Sequence, residues 1–255
     1  MAVSVGASTH WVRPDWPAPA WVRSAVSTRQ GPGVSLPPYD RFNLGLRNGD
    51  DPVAAQSNRA AAIRDLVLPG EPRWLRQVHG VDVAVAGHEV WRDEPRADAS
   101  VTRDTGQTLA ILTADCLPVL FCSTESHEIG AAHAGWRGLQ AGVLEATVAQ
   151  MRTPTSGILA WLGPCIGQAS YEVGEEVRDA FAGLDAGASA HFQPTRPGHW
   201  LCDLAGLARR RLHQAGVTAI YGGGFDTFSD PRFYSYRQEG PQSGRFASFI
   251  WIAAD

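Results

Sequence analysis

The chain is predicted to be a single mixed α/β (α+β) domain in which central β-sheets pack together and helices flank them. Three observations point there. Short apolar runs that read as strands are interspersed with Ala- and Leu-rich runs that read as helices. The Pro/Gly/Ser-rich stretches are all too short to link two domains. Hydrophobic residues make up 44% and charged residues 19% of 255 positions, enough for a sizeable core and without a disorder signature. The domain is therefore taken to span residues 1–255.

The elements are assigned in order along the chain. Residues 21–27 and 83–86 read as short strands, with Gly31-Pro32-Gly33 and Pro37-Pro38 marking turns between them. Asp51-Pro52 followed by an Ala-rich run predicts a helix, since an acid at the cap and Pro in the first turn both suit a helix start. Two buried strands are expected over 109–122 and 128–136, joined by the polar turn 123–127. A helix is expected from about Leu139 to Arg152, then a buried strand over 158–162 that ends at Gly163-Pro164. Residues 171–183 and 201–215 carry helical apolar spacing, the second closed by Gly216. Strands over 218–223 and 245–253 complete the set, whose order the sequence does not reveal.

Composition narrows the classes of function. The net charge is only -4 and no Lys/Arg block occurs, which argues against nucleic-acid and membrane-surface partners. Nearly all the positive charge is Arg, which suits bidentate contacts to carboxylate or phosphate, although composition bias accounts for it equally simply. The N-terminus lacks the basic start and continuous apolar run of a secretory signal, and no stretch approaches the roughly 20 apolar residues of a membrane span. Cys116, Cys122, Cys165 and Cys202 form no CxxC pair. A cytoplasmic protein with reduced thiols is the expectation. Nothing in the sequence speaks to oligomeric state.

Three segments stand out chemically. Thr113-Ala114-Asp115-Cys116-Leu117-Pro118 puts polar side chains in an apolar strand, and Pro118 is expected to end or bulge it. Cys116 reads there either as an inert buried thiol or as a ligand. Ala132-His133-Ala134-Gly135-Trp136-Arg137-Gly138 reads as a strand, glycine turn and helix start, with small residues that allow close approach to His133. Arg76-Gln77-Val78-His79-Gly80 reads as another strand ended by glycine. One Cys and two His would suit zinc with an open fourth position, but the spacings match no local zinc motif.

These segments belong to a longer series. Ser27-Thr28-Arg29, Phe42-Asn43-Leu44-Gly45, Asn58-Arg59, Gln77-Val78-His79-Gly80, Thr113-Ala114-Asp115-Cys116, the His133–Gly138 stretch, Gly163-Pro164-Cys165-Ile166-Gly167, Tyr171-Glu172-Val173-Gly174 and Phe233-Tyr234-Ser235-Tyr236-Arg237 with Ser243-Gly244-Arg245 occur in order. Together they resemble the bacterial laccase-domain, or multicopper polyphenol oxidoreductase, family, also described as peptidoglycan editing factors and purine nucleoside phosphorylases. The resemblance implies packed sheets flanked by helices, an intracellular enzyme, and a zinc ion on His79, Cys116 and His133. In one place the chain departs: Asp226-Thr227 stands where the family usually has Cys-Thr.

Several reactions are compatible with that resemblance. Eight histidines without an HxH pair, and only Met1 and Met151 as thioethers, argue against a multicopper centre, though copper substituting at the same triad would allow weak phenol oxidation. Purine nucleoside chemistry fits better, either phosphorolysis with inorganic phosphate or zinc-assisted deamination of adenosine. Arg29, Arg59, Arg137 and Arg237 are candidate phosphate ligands. Asp115 reads as a general acid/base or as the partner of a backbone turn. Trp136 and Tyr171 read as purine-stacking or core residues, and Asn43 as a ribose ligand or a turn cap. The alternatives are a hydrolase that removes a wrong amino acid from a UDP-muramyl precursor, including a variant with Cys116 as nucleophile and His133 as base, and a non-enzymatic structural zinc protein. A fourth ligand such as Cys165 would favour the last.

Overall fold

The structure is a computed structural model that describes residues 10–87 and 91–253; His88 and Met1 lie outside the described residues. In chain order the elements are β1 (Trp11–Val12), β2 (Val22–Ser27), α1 (Pro52–Leu66), β3 (Val83–Val85), β4 (Ala99–Thr102), β5 (Thr108–Thr113), β6 (Leu117–Ser123), β7 (Ile129–Ala134), α2 (Trp136–Ala141), α3 (Val143–Gln150), β8 (Ile158–Leu162), β9 (Glu172–Gly174), α4 (Glu175–Ala182), β10 (Phe192–Pro194), β11 (His199–Cys202), α5 (Leu204–Gln214), β12 (Ala219–Gly222), α6 (Tyr236–Glu239) and β13 (Phe246–Ile252). They build a four-stranded sheet of order β1-β2-β13-β5, a six-stranded sheet of order β12-β8-β6-β7-β4-β3 and a small sheet of order β10-β11-β9. The six-stranded sheet is mixed, with β12 parallel to β8 and β3 parallel to β4.

The period of two along each strand sorts the side chains into layers. In β13, Phe246, Ile250 and Ile252 point between the two large sheets, where they meet Leu120, Cys122 and Ile129. The alternate residues Ala247, Phe249 and Trp251 cover Ala61, Ala62 and Leu66 of α1. On the far side, Val119 and Phe121 of β6 pack under helical residues that include Leu144, Val148 and Leu207. The result is one mixed α/β domain of sheet on sheet with helices outside both, as predicted.

Several local expectations are corrected. Residues 109–122 form not one strand but two, β5 and β6, in different sheets. Asp115 has φ of 85°, a left-handed turn that carries the chain from the first sheet to the second. Pro118 does not end the strand: it lies inside β6, opposite His133, and the break falls earlier, at Ala114–Cys116. The helix expected over 139–152 starts at Trp136 and divides at Gly142, whose φ of 105° closes α2 before α3 begins. In both 171–183 and 201–215 the first residues are extended, forming β9 and the end of β11, and the helices start only at Glu175 and Leu204. Residues 76–80 are a loop rather than a strand. No helix among the described residues is long and apolar enough to cross a membrane.

Candidate metal centre

Gln77 fastens that loop to the sheet. Its side-chain amide imitates a strand partner: Nε2 donates to Leu112 O (2.8 Å) and Oε1 accepts from Leu112 N (2.9 Å). His79 follows at φ of 61°, a left-handed conformation that turns the backbone amides of 78–80 inward. Asp98 collects them. Its carboxylate accepts from Val78 N (3.1 Å), His79 N (2.9 Å) and Gly80 N (2.7 Å). It also accepts from His133 Nδ1 at 2.8 Å, and its backbone carbonyl accepts from His133 N at 2.7 Å. Burial alone would raise the Asp98 pKa, but the His133 contact and the backbone amides outweigh it and hold it below the usual carboxylate range. One ionised side chain therefore orients both histidines, and leaves His133 Nε2 as the free ring nitrogen.

Cys116 arrives from the crossover between the sheets, just before β6. Its Sγ lies 3.9 Å from His79 Nε2, and the two imidazoles stand edge-on with centroids 4.8 Å apart. The three donor atoms all lie within 4.8 Å of one another, the one such group among the described residues. A tetrahedral ion with bonds of about 2.1–2.3 Å spaces its donors about 3.5 Å apart, so small side-chain rotations complete the fit. Gly135 keeps the space open: a Cβ there would come within 2.9 Å of both Cys116 Sγ and His79 Cδ2. Burial works to raise the Cys116 thiol, yet the charge and hydrogen bonds of the two histidines bring it well below normal. His133 is correspondingly raised by Cys116 and Asp98 against the effect of its own burial. The other thiols behave oppositely, burial pushing Cys122 up to about 12 and Cys165 and Cys202 higher still. Cys165 is not part of the three-donor group. A soft thiolate with two imidazoles, and no fourth protein ligand among the described residues, suits an ion with one open position.

The group sits in a cleft of about 620 Å³ that Asp115, Trp136, Arg137, Tyr171 and Arg237 also line, a volume in the range of small-molecule sites. Arg137 stacks on Trp136 at 4.5 Å, and Arg237 lies over Tyr171 at 5.3 Å. The acceptors of Asp115 are occupied: Thr227 Oγ1 (2.7 Å), Ser235 Oγ (3.0 Å) and Arg237 N (2.6 Å) all donate to it. It clamps the C-terminal segment to the crossover, which favours the turn-partner alternative. Asp226 takes a related part, accepting from Gly167 N, Ser170 Oγ, Phe228 N and Ser229 Oγ. It fastens the loop ahead of Tyr171.

Three expected substrate ligands are not in the cleft wall. Arg29 is paired with Glu239 at 2.6 Å and laid over Tyr234 at 4.6 Å. Arg59 is buried on the inner face of α1, where Nε donates to Leu44 O (2.9 Å), Nη1 to Glu94 (3.0 Å), and the guanidinium covers Trp74. Asn43 is fully buried and bonded to Gly45, Asn48 and Asp50. All three hold the loops that frame the cleft. Sequence reasoning missed Asp98, whose one signal was an acid flanked by two alanines, and the cleft residues Arg47, Arg76, Tyr236 and Arg245.

The family model described as multi-copper polyphenol oxidoreductase laccase matches residues 23–253. The chain belongs to this family. Within it, a purine nucleoside phosphorylase of Xylella fastidiosa is 51% identical over 248 residues, covering 93% of this chain and 95% of the relative. The purine nucleoside phosphorylase PA4543 of Pseudomonas aeruginosa is also 51% identical, covering 95% and 98%. The crystal structure of protein NMB0706 of Neisseria meningitidis superposes with a TM-score of 0.91 at 42% identity, covering 96% of this chain and 100% of that one. The word multi-copper in the family's description contrasts with the single three-donor group among the described residues of this member.

Proposed function

We propose that this chain is a zinc-dependent purine nucleoside phosphorylase of the cytoplasm, cleaving adenosine- and inosine-type nucleosides with phosphate and also deaminating adenosine. The observation that carries the reading is the convergence of His79, Cys116 and His133 on the floor of a cleft rich in aromatic and Arg side chains. The names of relatives at 51% identity support it. Zinc bound at the three donors supplies Lewis-acid polarisation at one open position. Asp98 keeps both imidazoles in place, and Trp136 and Tyr171 offer flat surfaces for a purine. Arg137 and Arg237, exposed at the cleft wall, attract the phosphate, while Asp115 positions Arg237 through its backbone amide. Copper at the same donors is the route to weak phenol oxidation.

The test is a metal-analysed preparation incubated with adenosine or inosine plus phosphate, with products separated by chromatography. Free base and ribose-1-phosphate are expected, with inosine from adenosine, and Cys116→Ala is expected to abolish all of them. If metal-loaded protein leaves both nucleosides unchanged, the reading fails.

A second reading draws on one specific observation, the lowered Cys116 thiol beside a raised His133 that Asp98 orients. That line has the character of a thiolate hydrolase, which would cut an amide in a nucleotide-linked cell-wall precursor. Hydrolysis of UDP-muramyl-L-serine that survives excess chelator would replace the zinc reading with this one.

A further inference from the structure

Arg245, one residue before β13, is built into the cleft wall. Its backbone N donates to Asn43 Oδ1 at 2.9 Å, and its carbonyl accepts from Leu44 N at 3.0 Å. The same Asn43 oxygen accepts from Gly45 N and Asn48 Nδ2, each at 3.0 Å. The stem of Arg245 then crosses Gly45 so closely that a Cβ there would meet Cγ at 2.9 Å. Nη1 is fixed by the carbonyls of Ser243 (2.7 Å) and Gly244 (2.8 Å). Asn43, Leu44 and Gly45 thus seat the backbone and stem of Arg245, and two carbonyls hold its guanidinium in one orientation before any ligand arrives.

Among the described residues Arg245 makes no ion pair, and its hydrogen-bond partners are two neutral carbonyls. Burial opposes the charged form, and the groups that favour it most are Cys116 and Asp115. Asp115 is spent on Thr227, Ser235 and Arg237, and an ion at the three donors would neutralise Cys116. Arg47 is paired with Glu94, and the remaining cleft arginines, Arg76, Arg137, Arg237 and Arg245, share the wall with Asp115 as its one lining carboxylate. Burying a guanidinium without a carboxylate is unfavourable unless a ligand completes the pair, and a preset N–H fork matches an oxyanion.

We infer that Arg245 is an oxyanion-binding residue of the cleft, taking a phosphate-class group of a substrate or co-substrate. Its service in phosphorolysis rests on the function proposed above; the presence of the anion subsite does not.

The test follows the phosphorus resonance while metal-loaded protein is titrated with inorganic phosphate and, separately, with a nucleoside 5′-monophosphate. Arg245→Gln and Arg245→Lys run in parallel, with thermal melting as the check of folding. Saturable phosphate binding is expected, weakened at least tenfold by Arg245→Gln and several-fold by Arg245→Lys, which keeps the charge and loses the fork. Should Arg245→Gln fail to fold, the lysine variant decides alone. Monophosphate binding that depends on Arg245, without binding of free phosphate, places the oxyanion on the substrate: the subsite stands and phosphorolysis falls. Binding of either probe unaffected by both substitutions, or no binding of either probe, overturns the inference and leaves phosphorolysis to the product assay.

Discussion

Asp98 shows how much of the centre is decided by a residue that lines none of the cleft. Its carboxylate serves three consecutive amides and one imidazole, so Asp98→Ala leaves three inward-facing N–H groups without an acceptor. A loss of about 3 kcal/mol in urea unfolding is expected. The milder Asp98→Asn should keep the fold yet weaken metal affinity by about 10–100-fold, read by competition with a chromophoric chelator. Gly135→Ala should act differently, because the added methyl enters the space between Cys116 and His79. Folded protein that no longer shows the thiolate-to-metal absorption of a cobalt derivative is the expected outcome; a normal cobalt spectrum would contradict the geometry. At this scale the sequence was informative in an uneven way. His79, Cys116 and His133 are far apart in the chain, and only their place in an ordered series of motifs brought them together before the fold was known. Membership of a motif does not separate residues that line the cleft from those that support it, so Arg29, Arg59 and Asn43, which frame the cleft, read in sequence like Arg137 and Arg237, which line it. Asp98 stands outside the motif series, and Arg245, though within it, carries nothing in sequence that marks it as a cleft residue.

Among the elements, the largest departure from expectation lies at the crossover between the sheets. Apolar continuity marked 109–122 as one buried run, and all of it but Leu112 and Cys116 is buried, but burial on both sides of a sheet crossover looks the same in sequence as one long strand. Only the left-handed turn at Asp115 separates β5 from β6, and Asp is among the few non-glycine residues that adopt it readily. The division of α2 from α3 could have been read from Gly142, which a helix interior disfavours. Gly142→Ala is expected to cost about 1–2 kcal/mol, since its φ of 105° suits no L side chain. The segment after α3 offers a pH test. Glu128, buried at the head of β7, accepts from Arg152 N, Thr153 N and Thr153 Oγ1 and pairs with Arg103. Burial would raise its pKa, but these partners lower it overall. A carboxyl depressed in the folded state stabilises above its unfolded pKa, near 4.3, and that stabilisation disappears as pH falls through the folded value. Wild-type unfolding free energy should therefore drop more steeply from pH 5 to 3 than that of Glu128→Gln, the gap between them closing in acid. Parallel curves would refute the assignment.

For the molecule as a whole, the fold class was legible because strand-length and helix-length apolar runs are distinct, whereas sheet order was not, since pairing depends on contacts far apart in sequence. β13, near the chain's end, sits at the centre of the four-stranded sheet between β2 and β5. Its inward residues share one core with β6 and β7, so the two sheets should melt together. Leu120→Ala, fully buried between them, is expected to cost about 2–5 kcal/mol, with tryptophan fluorescence and far-ultraviolet dichroism reporting one coincident transition. Separate transitions would show that the sheets are independent. The crossover at Cys116 has a thermodynamic corollary. The three donors hang from a loop pinned to β5, from the seam between the sheets, and from β7, and they meet only when all of these are assembled. An ion that binds there binds the native chain and not the unfolded one. By mass action it then adds about 4 kcal/mol of stability when its free concentration is a thousand times its dissociation constant. Stripping it should lower the melting temperature in proportion to the logarithm of free metal, making the melting curve itself a gauge of how tightly the seam is held.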